Sequence, residues 1–275
     1  MAQLLPRCAG SFKRKRLIVV SCLAVGVAVG LLLLSLAAVG QAEETVEARV
    51  AEIRSGHAFV LTDGRAVRLA HIEAPLPPLH LPAGSAWLPA EEARHALSRL
   101  VAGQSIRLEA AGEARDRYGR LLRHAYLADE RLLQAALLHA GHARLVSLPE
   151  AAGLAEAMVR AEGDARRAGR GLWSHAAYRV RPAVPDRLER DRFQVVIGRI
   201  VSANRVRRGA YLNFGHHWKS DVTLRLDEAA AALLEETVGP VEGLAGRRVL
   251  LRGWVEEKDG PLIEMSDHRL IEFLD

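Results

Sequence analysis

Apolar and polar positions alternate residue by residue in much of the stretch from Val46 to Tyr126, the pattern of strands with one buried face. Helical spacing of apolar residues appears between and after these strands. Residues 74–89 contain five prolines and predict a loop. The predicted strands are Val46–Ile53, Ala58–Leu61, Ala66–Ile72, Ser105–Ala110 and Leu121–Tyr126, and the predicted helices are Ala90–Val101, Leu132–Ala140 and Ala151–Ala168.

A second strand-rich region follows the polar, proline-containing stretch Arg179–Arg192. Its pattern predicts five short strands, with a helix at Glu228–Thr237 between the third and the fourth. That order is typical of a small OB-type barrel, although five strands can also pair as a sandwich. We therefore expect a first domain at 46–176, a linker at 177–192 and a second domain at 193–275. The strands are Val195–Val201, Ala210–Phe214, Asp221–Leu226, Val249–Val255 and Leu262–Ile271.

The N-terminal residues 1–42 have the pattern of a membrane-targeting segment. Lys13–Arg16 is basic, and the following stretch, Leu17–Gly40, carries no charge. Its length exceeds a typical signal-peptide core and is enough for a helix to cross a bilayer. Basic residues before the span predict a cytoplasmic N-terminus and an exported body. Small residues near Ala42 leave cleavage by signal peptidase open, so the body is expected to be either membrane-anchored or secreted.

The excess of positive charge belongs to this segment rather than to the body. Residues 1–40 contain five basic residues and no acid, while the whole chain carries a net charge of +5. The remainder is therefore neutral, and it lacks the global field that drives non-specific nucleic-acid binding. Both cysteines, Cys8 and Cys22, precede the predicted domains, which excludes a disulfide or a thiolate metal site within them.

Four short motifs follow one another along the first domain. They are Gly56-His-Ala-Phe-Val-Leu61, Val67-Arg-Leu-Ala-His-Ile-Glu-Ala-Pro75, Asp116-Arg-Tyr-Gly-Arg120, and Gly141-His-Ala143 with Gly171-Leu-Trp173. In order and spacing these motifs resemble the staphylococcal nuclease (thermonuclease) family over about residues 46–175. The resemblance implies a five-stranded OB-type barrel with helices, mainly β in class. It also implies Ca²⁺-assisted hydrolysis of nucleic-acid phosphodiesters.

By this resemblance, Arg68 and Arg120 match the two phosphate-binding arginines of the family. Guanidinium groups suit that role because their planar donors match two phosphate oxygens. Glu73 stands where a metal-ligating Asp is usual, and His57 replaces the other one, although Ca²⁺ prefers oxygen ligands. Leu76 occupies the position of the catalytic Glu and cannot accept a proton. We therefore expect an intact phosphate-binding pair with a degenerate catalytic site, and Ca²⁺ is implied as a cofactor by the resemblance alone.

Each of these residues also has a structural interpretation. In this interpretation Arg68 faces solvent or pairs with Glu73 or Asp116. The Asp116 motif is then only a turn, with Gly119 at positive φ and Tyr118 packed on the barrel. His71 and Glu73, two positions apart on one predicted strand, have chelating spacing for a transition metal. A surface histidine is the simpler interpretation of His71.

In the second domain Tyr211, Phe214 and Trp218 offer aromatic faces for stacking on bases. Packing of the first two in the barrel core or at its rim is an equally good interpretation. His216-His217-Trp218 is expected to be a loop rather than a metal site.

Three functions follow as hypotheses. The first is a nucleic-acid-binding or phosphate-binding envelope protein, or scaffold, in which catalysis is lost. The second is an active extracytoplasmic nuclease with a remodelled site. The third is an envelope protein that binds peptides or glycans, which the neutral body favours. The oligomeric state is left open.

Overall fold

A computed structural model describes residues 45–78, 82, 86–217 and 219–274. Thr45–Asp275 groups as one compact unit. No helix in this described part of the chain is long and apolar enough to span a membrane. The predicted N-terminal segment, residues 1–42, lies outside the described residues, as does Trp218.

The first half is a closed five-stranded barrel with strand order β1-β2-β3-β6-β5. Strands β3 and β6 are parallel, and the other pairs in the barrel are antiparallel. The predicted five-stranded barrel with about three helices is confirmed for this half. Its elements are β1 Val46–Ser55, β2 Ala58–Leu61, β3 Ala66–Leu69, β4 Ile72–Glu73, α1 Leu88–Val101, β5 Ser105–Arg115, β6 Leu121–Tyr126, α2 Leu133–His139, β7 Arg144–Leu145 and α3 Ala152–Arg167.

One predicted strand of this half is broken in two. The pattern predicts a continuous strand Ala66–Ile72, but β3 ends at Leu69 and His71 adopts a φ of +66°. The chain turns there, and Ile72–Glu73 pairs instead with Arg144–Leu145 outside the barrel. This turn carries Glu73 away from the barrel strands.

The second half is a curled eight-stranded sheet in which β10-β11-β12-β14-β13-β9-β8 are paired in that order and β15 pairs with β13. The predicted helix is confirmed as α4, but the strand expected at Val195–Val201 ends at Arg199. The elements are β8 Arg181–Pro182, β9 Arg192–Arg199, β10 Ser202–Val206, β11 Gly209–Asn213, β12 Thr223–Leu226, α4 Glu228–Val238, β13 Arg248–Glu257, β14 Pro261–Met265 and β15 Ile271–Phe273.

Two apolar cores fill the two halves, and a smaller cluster joins them. Trp173 and Leu172, from a short 3₁₀ helix after α3, pack with Val195 of β9 and Leu250 of β13. Beside this cluster lies a buried network of charges. Glu162 of α3 contacts Arg252 of β13, with 2.6 Å between Oε2 and Nη1, although that N–H is not aimed at the oxygen as in a directed hydrogen bond.

The network extends in both directions. Glu162 Oε1 accepts a hydrogen bond from the backbone N–H of Leu145 at 2.7 Å, and Arg166 Nη1 lies 3.5 Å from Glu162 Oε2. Arg166 also binds Glu272 of β15 at 2.8 Å. The two halves are therefore joined by ionic contacts, among which the Glu162–Arg252 pair is closed to solvent.

Candidate phosphate-binding site

The five residues that the family resemblance matches to site positions all line one pocket of about 650 Å³. Arg68 is on β3 and Arg120 directly precedes β6. Because Arg68 lies opposite Leu122 in the parallel pair, Arg120, two residues earlier, projects to the same side of the sheet. His57 comes from the turn before β2, and Glu73 and Leu76 from β4 and the loop after it.

Arg68 is a half-buried cation. No carboxylate in the described part of the chain lies within ion-pair distance of it, and its Nη2 lies 3.5 Å from the carbonyl oxygen of Ile72, a long hydrogen bond. Burial, followed by the charge of Arg120, lowers the pKa of Arg68 below its ordinary value. The predicted pairing with Glu73 or Asp116 is not formed. An anion bound in the pocket would compensate this guanidinium charge.

Arg120 is held in place by the turn that precedes it. Asp116 Oδ2 accepts from Arg120 Nε at 2.7 Å, and Oδ1 accepts from the backbone N–H of Tyr118 and Arg120. Burial alone would raise the pKa of Asp116, but these hydrogen bonds lower it below its ordinary value. Gly119 has the expected positive φ, of +77°. Tyr118, however, is largely exposed rather than packed on the barrel.

Glu73 is engaged by Arg144, which sequence reasoning missed. Arg144 of β7 donates to Glu73 Oε2 through Nη2 at 2.6 Å and through Nε at 3.1 Å. Its Nη1 donates to the backbone carbonyl of Phe193 in the second half. The carboxylate, on strand β4, thus forms one end of a link between the halves. The partners are separated by 71 positions in the sequence, which leaves no local signal.

His57 is buried and neutral. Its Nδ1 accepts the backbone N–H of Ala74 at 3.1 Å, which assigns the ring proton to Nε2. Burial, followed by the charges of Arg68 and Arg120, lowers the pKa of His57 to about 3. The ring is therefore uncharged at neutral pH, and Nδ1 has no lone pair to offer a metal.

The residues of this pocket do not fit the Ca²⁺ that the family resemblance implies. Ca²⁺ takes six to eight oxygen ligands. His57 offers none, and Glu73 is bound by Arg144. Within the described ranges no group of three His, Cys, Asp or Glu residues is placed to hold a metal. The neutral ring and the two guanidinium groups instead make the pocket suitable for an anion.

The hypothesis of chelation by His71 and Glu73 fails on backbone geometry. Two residues share a strand face only while the strand continues, and the positive φ of His71 ends it. His71 Nδ1 lies 3.0 Å from Ser147 Oγ, and its ring stacks on that of His124. These contacts give His71 a structural role beside the barrel.

Leu76 lies at the border of the pocket with half of its surface exposed. Its aliphatic side chain cannot take a proton from water. The same residue and Glu73 also line a neighbouring pocket of about 590 Å³. The two pockets therefore adjoin.

The aromatic candidates of the second half are separated by the structure. Tyr211 lines a cavity of about 710 Å³ on the outer face of the curled sheet, together with His216. Phe214 packs against the core of that half. Trp218 lies outside the described residues. No joint stacking surface is therefore described for the three.

Comparison with known proteins agrees with the barrel. Residues 66–175 match the family model described as staphylococcal nuclease homologue. No curated protein matches the chain. The match begins at β3, so that β1 and β2, which close the same barrel, precede it. Residues 66–175 thus match a domain of the staphylococcal nuclease homologue family, and two strands of the preceding chain complete the barrel.

Proposed function

We propose that this protein binds the phosphate groups of nucleic acid in the pocket of Arg68 and Arg120 and does not hydrolyse them by the metal-dependent route. The observation that supports this most directly is the half-buried Arg68, which forms no ion pair with any carboxylate of the described residues. Arg120, oriented by Asp116, supplies a second guanidinium group. Hydrogen bonds from such groups to phosphate are charge-assisted and of two-pronged geometry.

The lining of the pocket supports binding without hydrolysis. Attack on a phosphodiester requires a group that takes the proton of water and one that stabilises the added negative charge. Leu76 supplies no base, and Glu73 forms its ion pair with Arg144 at 2.6 Å. An active nuclease with Glu73 as base would first have to break that pair.

The location and the second half enter as further parts of the proposal. From the basic and apolar pattern of residues 1–42 we infer an exported body, either anchored in a membrane or released by cleavage. The curled sheet is inferred to be OB-like. Strands β9 and β10 follow one another along the chain and together correspond to the first strand of the barrel. With them counted as one strand, the order β10-β11-β12-β14-β13-β9 is the same as the order β1-β2-β3-β6-β5 of the first barrel.

Binding and cleavage are tested on the full-length protein in neutral detergent. Fluorescence anisotropy with a labelled decathymidylate is measured at low salt, and the same strand is incubated with Ca²⁺, Mg²⁺, Mn²⁺ or Zn²⁺. We expect binding without cleavage, and a loss of about tenfold or more in affinity for Arg68→Ala, because one charge-assisted hydrogen bond contributes about 1.5–3 kcal/mol.

The matched control is Arg160→Ala, which removes a largely exposed arginine of α3 that pairs with Glu156 outside the pocket. It should leave affinity nearly unchanged. Metal-dependent cleavage that Arg68→Ala abolishes would show an active nuclease, and Glu73→Gln would then test Glu73 as its base. Absence of binding even at low salt would refute the proposal.

A peptide- or glycan-binding function remains a second candidate because of one feature of the curled sheet. Its outer cavity is lined by an amide and hydroxyl ladder, in which Asn213 donates to Ser202 Oγ and accepts from Thr223 Oγ1. Such groups recognise neutral polar ligands. Titration with neutral oligosaccharides and peptides, using Asn213→Ala as the variant, tests this candidate.

A further inference from the structure

An aromatic groove adjoins the pocket of Arg68 and Arg120, which we call the arginine pocket. It is the pocket of about 590 Å³, and four aromatic residues from separate parts of the chain line it. Trp87 immediately precedes α1 and Tyr178 ends a short 3₁₀ helix, whereas Phe193 and Trp254 are cross-strand neighbours on β9 and β13. The two strand residues lie outside the 66–175 family match. The second half therefore adds a surface that the family domain alone does not contain.

Trp254 presents an unusually large apolar surface to solvent. Its exposed fraction is 58%, and it meets Phe193 edge to face, with ring centroids 6.4 Å apart. That geometry leaves much of the indole uncovered. Arg144 lines the groove and packs against two of its rings, with its guanidinium carbon 4.7 Å from the Phe193 ring centroid and 5.3 Å from that of Tyr178. Large exposed apolar patches commonly mark binding sites.

The groove is continuous with the arginine pocket because Glu73 and Leu76 line both. Leu76, half exposed at this junction, offers an apolar contact instead of a carboxylate. A ligand that enters the arginine pocket with an anionic group therefore meets an aromatic surface next. Nucleic acid has this combination in every nucleotide.

Charge distinguishes the aromatic groove from the arginine pocket. Among the groove's lining residues two arginines face three carboxylates, whereas in the arginine pocket four arginines face three. The groove therefore disfavours phosphate relative to its neighbour, and a neutral planar group suits it better. Base stacking on aromatic side chains is a common means of binding single strands.

We propose that the groove receives an unstacked base, stacked on Trp254, from a strand whose phosphate is held by Arg68 and Arg120. This inference rests on the proposed function and specifies its substrate as single-stranded rather than duplex nucleic acid. In a duplex the bases remain stacked on each other and are not available to the indole.

The test compares a labelled decathymidylate with an abasic strand of equal length and charge, using the full-length protein in neutral detergent. Wild type should bind the base-bearing strand about tenfold more tightly than the abasic one, within the range expected for a base on an aromatic ring. Trp254→Ala should remove this difference and leave abasic affinity unchanged, while Trp254→Phe should keep most of it. Intrinsic tryptophan fluorescence should be quenched by the base-bearing strand alone.

Tyr211→Ala is the matched control, because Tyr211 is an exposed aromatic residue that lines the other cavity. It should leave both affinities unchanged. Equal binding of the two strands by wild type, with Arg68→Ala still weakening both, would overturn this inference and leave the proposed function standing. Failure of both strands to bind would overturn both proposals.

The remaining outcomes also discriminate. A loss of base preference in Tyr211→Ala but not in Trp254→Ala would assign stacking to the other cavity and overturn the inference. Proline-rich peptides also dock in aromatic grooves. If a polyproline decapeptide binds through Trp254 and Arg68→Ala leaves its affinity unchanged, the groove is a peptide-binding site, and this result would also overturn the inference.

Discussion

Replacement of Arg252 by methionine tests the buried ionic link between the two halves. Glu162 is fully buried and Arg252 is 3% exposed. Methionine preserves most of the apolar stem of arginine but leaves Glu162 without its nearest cation. Removing one partner of a buried ion pair costs about 3–5 kcal/mol, because the remaining charge is left uncompensated.

The structure places the expected loss at the lower end of that range. Glu162 would keep the N–H of Leu145 at 2.7 Å and the more distant Arg166 at 3.5 Å. We therefore expect Arg252→Met to lower the free energy of unfolding by about 3 kcal/mol. For a unit of this size the corresponding fall in Tm is about 6–12 °C.

Urea unfolding followed by tryptophan fluorescence measures this change. Arg160→Met removes the largely exposed Arg160–Glu156 pair and should cost no more than about 0.5 kcal/mol. The double variant Glu162→Gln with Arg252→Met removes both charges while keeping an acceptor for Leu145, and it should recover at least half of the loss. A loss for Arg252→Met within 1 kcal/mol of the Arg160→Met value, or no recovery in the double variant, would refute this reasoning.

Three further predictions concern the first half. Gly141→Ala should lower the free energy of unfolding by more than about 2 kcal/mol, because Gly141 has a φ of +75° and an added Cβ would lie 2.2 Å from the carbonyl oxygen of Arg170. Gly153→Ala, with open space around it, should cause no loss in the same denaturation assay, and equal losses for the two variants would contradict the argument. Leu76→Glu should not produce Ca²⁺-dependent cleavage of a fluorogenic oligonucleotide, because the ligand set is still missing; turnover that requires Ca²⁺ would contradict this. His57 has a folded pKa of about 3 against its ordinary 6.5, so the unfolded chain binds the extra proton between these values and stability falls as pH falls below 6.5. His57→Gln, which keeps an acceptor for Ala74, should reduce the loss between pH 7 and pH 5 by about 2 kcal/mol, and an unchanged loss would refute the assignment.

Local patterns in the sequence predict much of the first barrel. Alternation and turn chemistry act within a few residues, so β2, β6 and the expected helix Ala151–Ala168, observed as Ala152–Arg167, are found close to their predicted positions. The sequence predicts the helix start at Ala90, two residues after the observed start at Leu88, because Pro89 in the first turn continues the proline-rich pattern of a loop. Proline is well tolerated there.

Long-range features escape such patterns. His71 is a non-glycine residue at positive φ, and the strand that follows it, β4, pairs with the distant strand β7. The partner of Glu73 is likewise distant in sequence. The aromatic groove depends on Trp254 meeting the proline-rich loop across the two halves, which no spacing rule encodes. The arginine pair was predictable because the motifs that carry Arg68 and Arg120 are short and contiguous.

The position of the family match has a practical consequence for making this protein in pieces. A fragment cut at residues 66–175 would lack β1 and β2, which pair with β5 and β3. Each of β3 and β5 would keep β6 as a partner but lose the hydrogen bonds along its other edge, and open edges of this kind promote aggregation. Recombinant fragments should therefore begin no later than Thr45, and those intended to retain the buried ionic link should extend through Glu272.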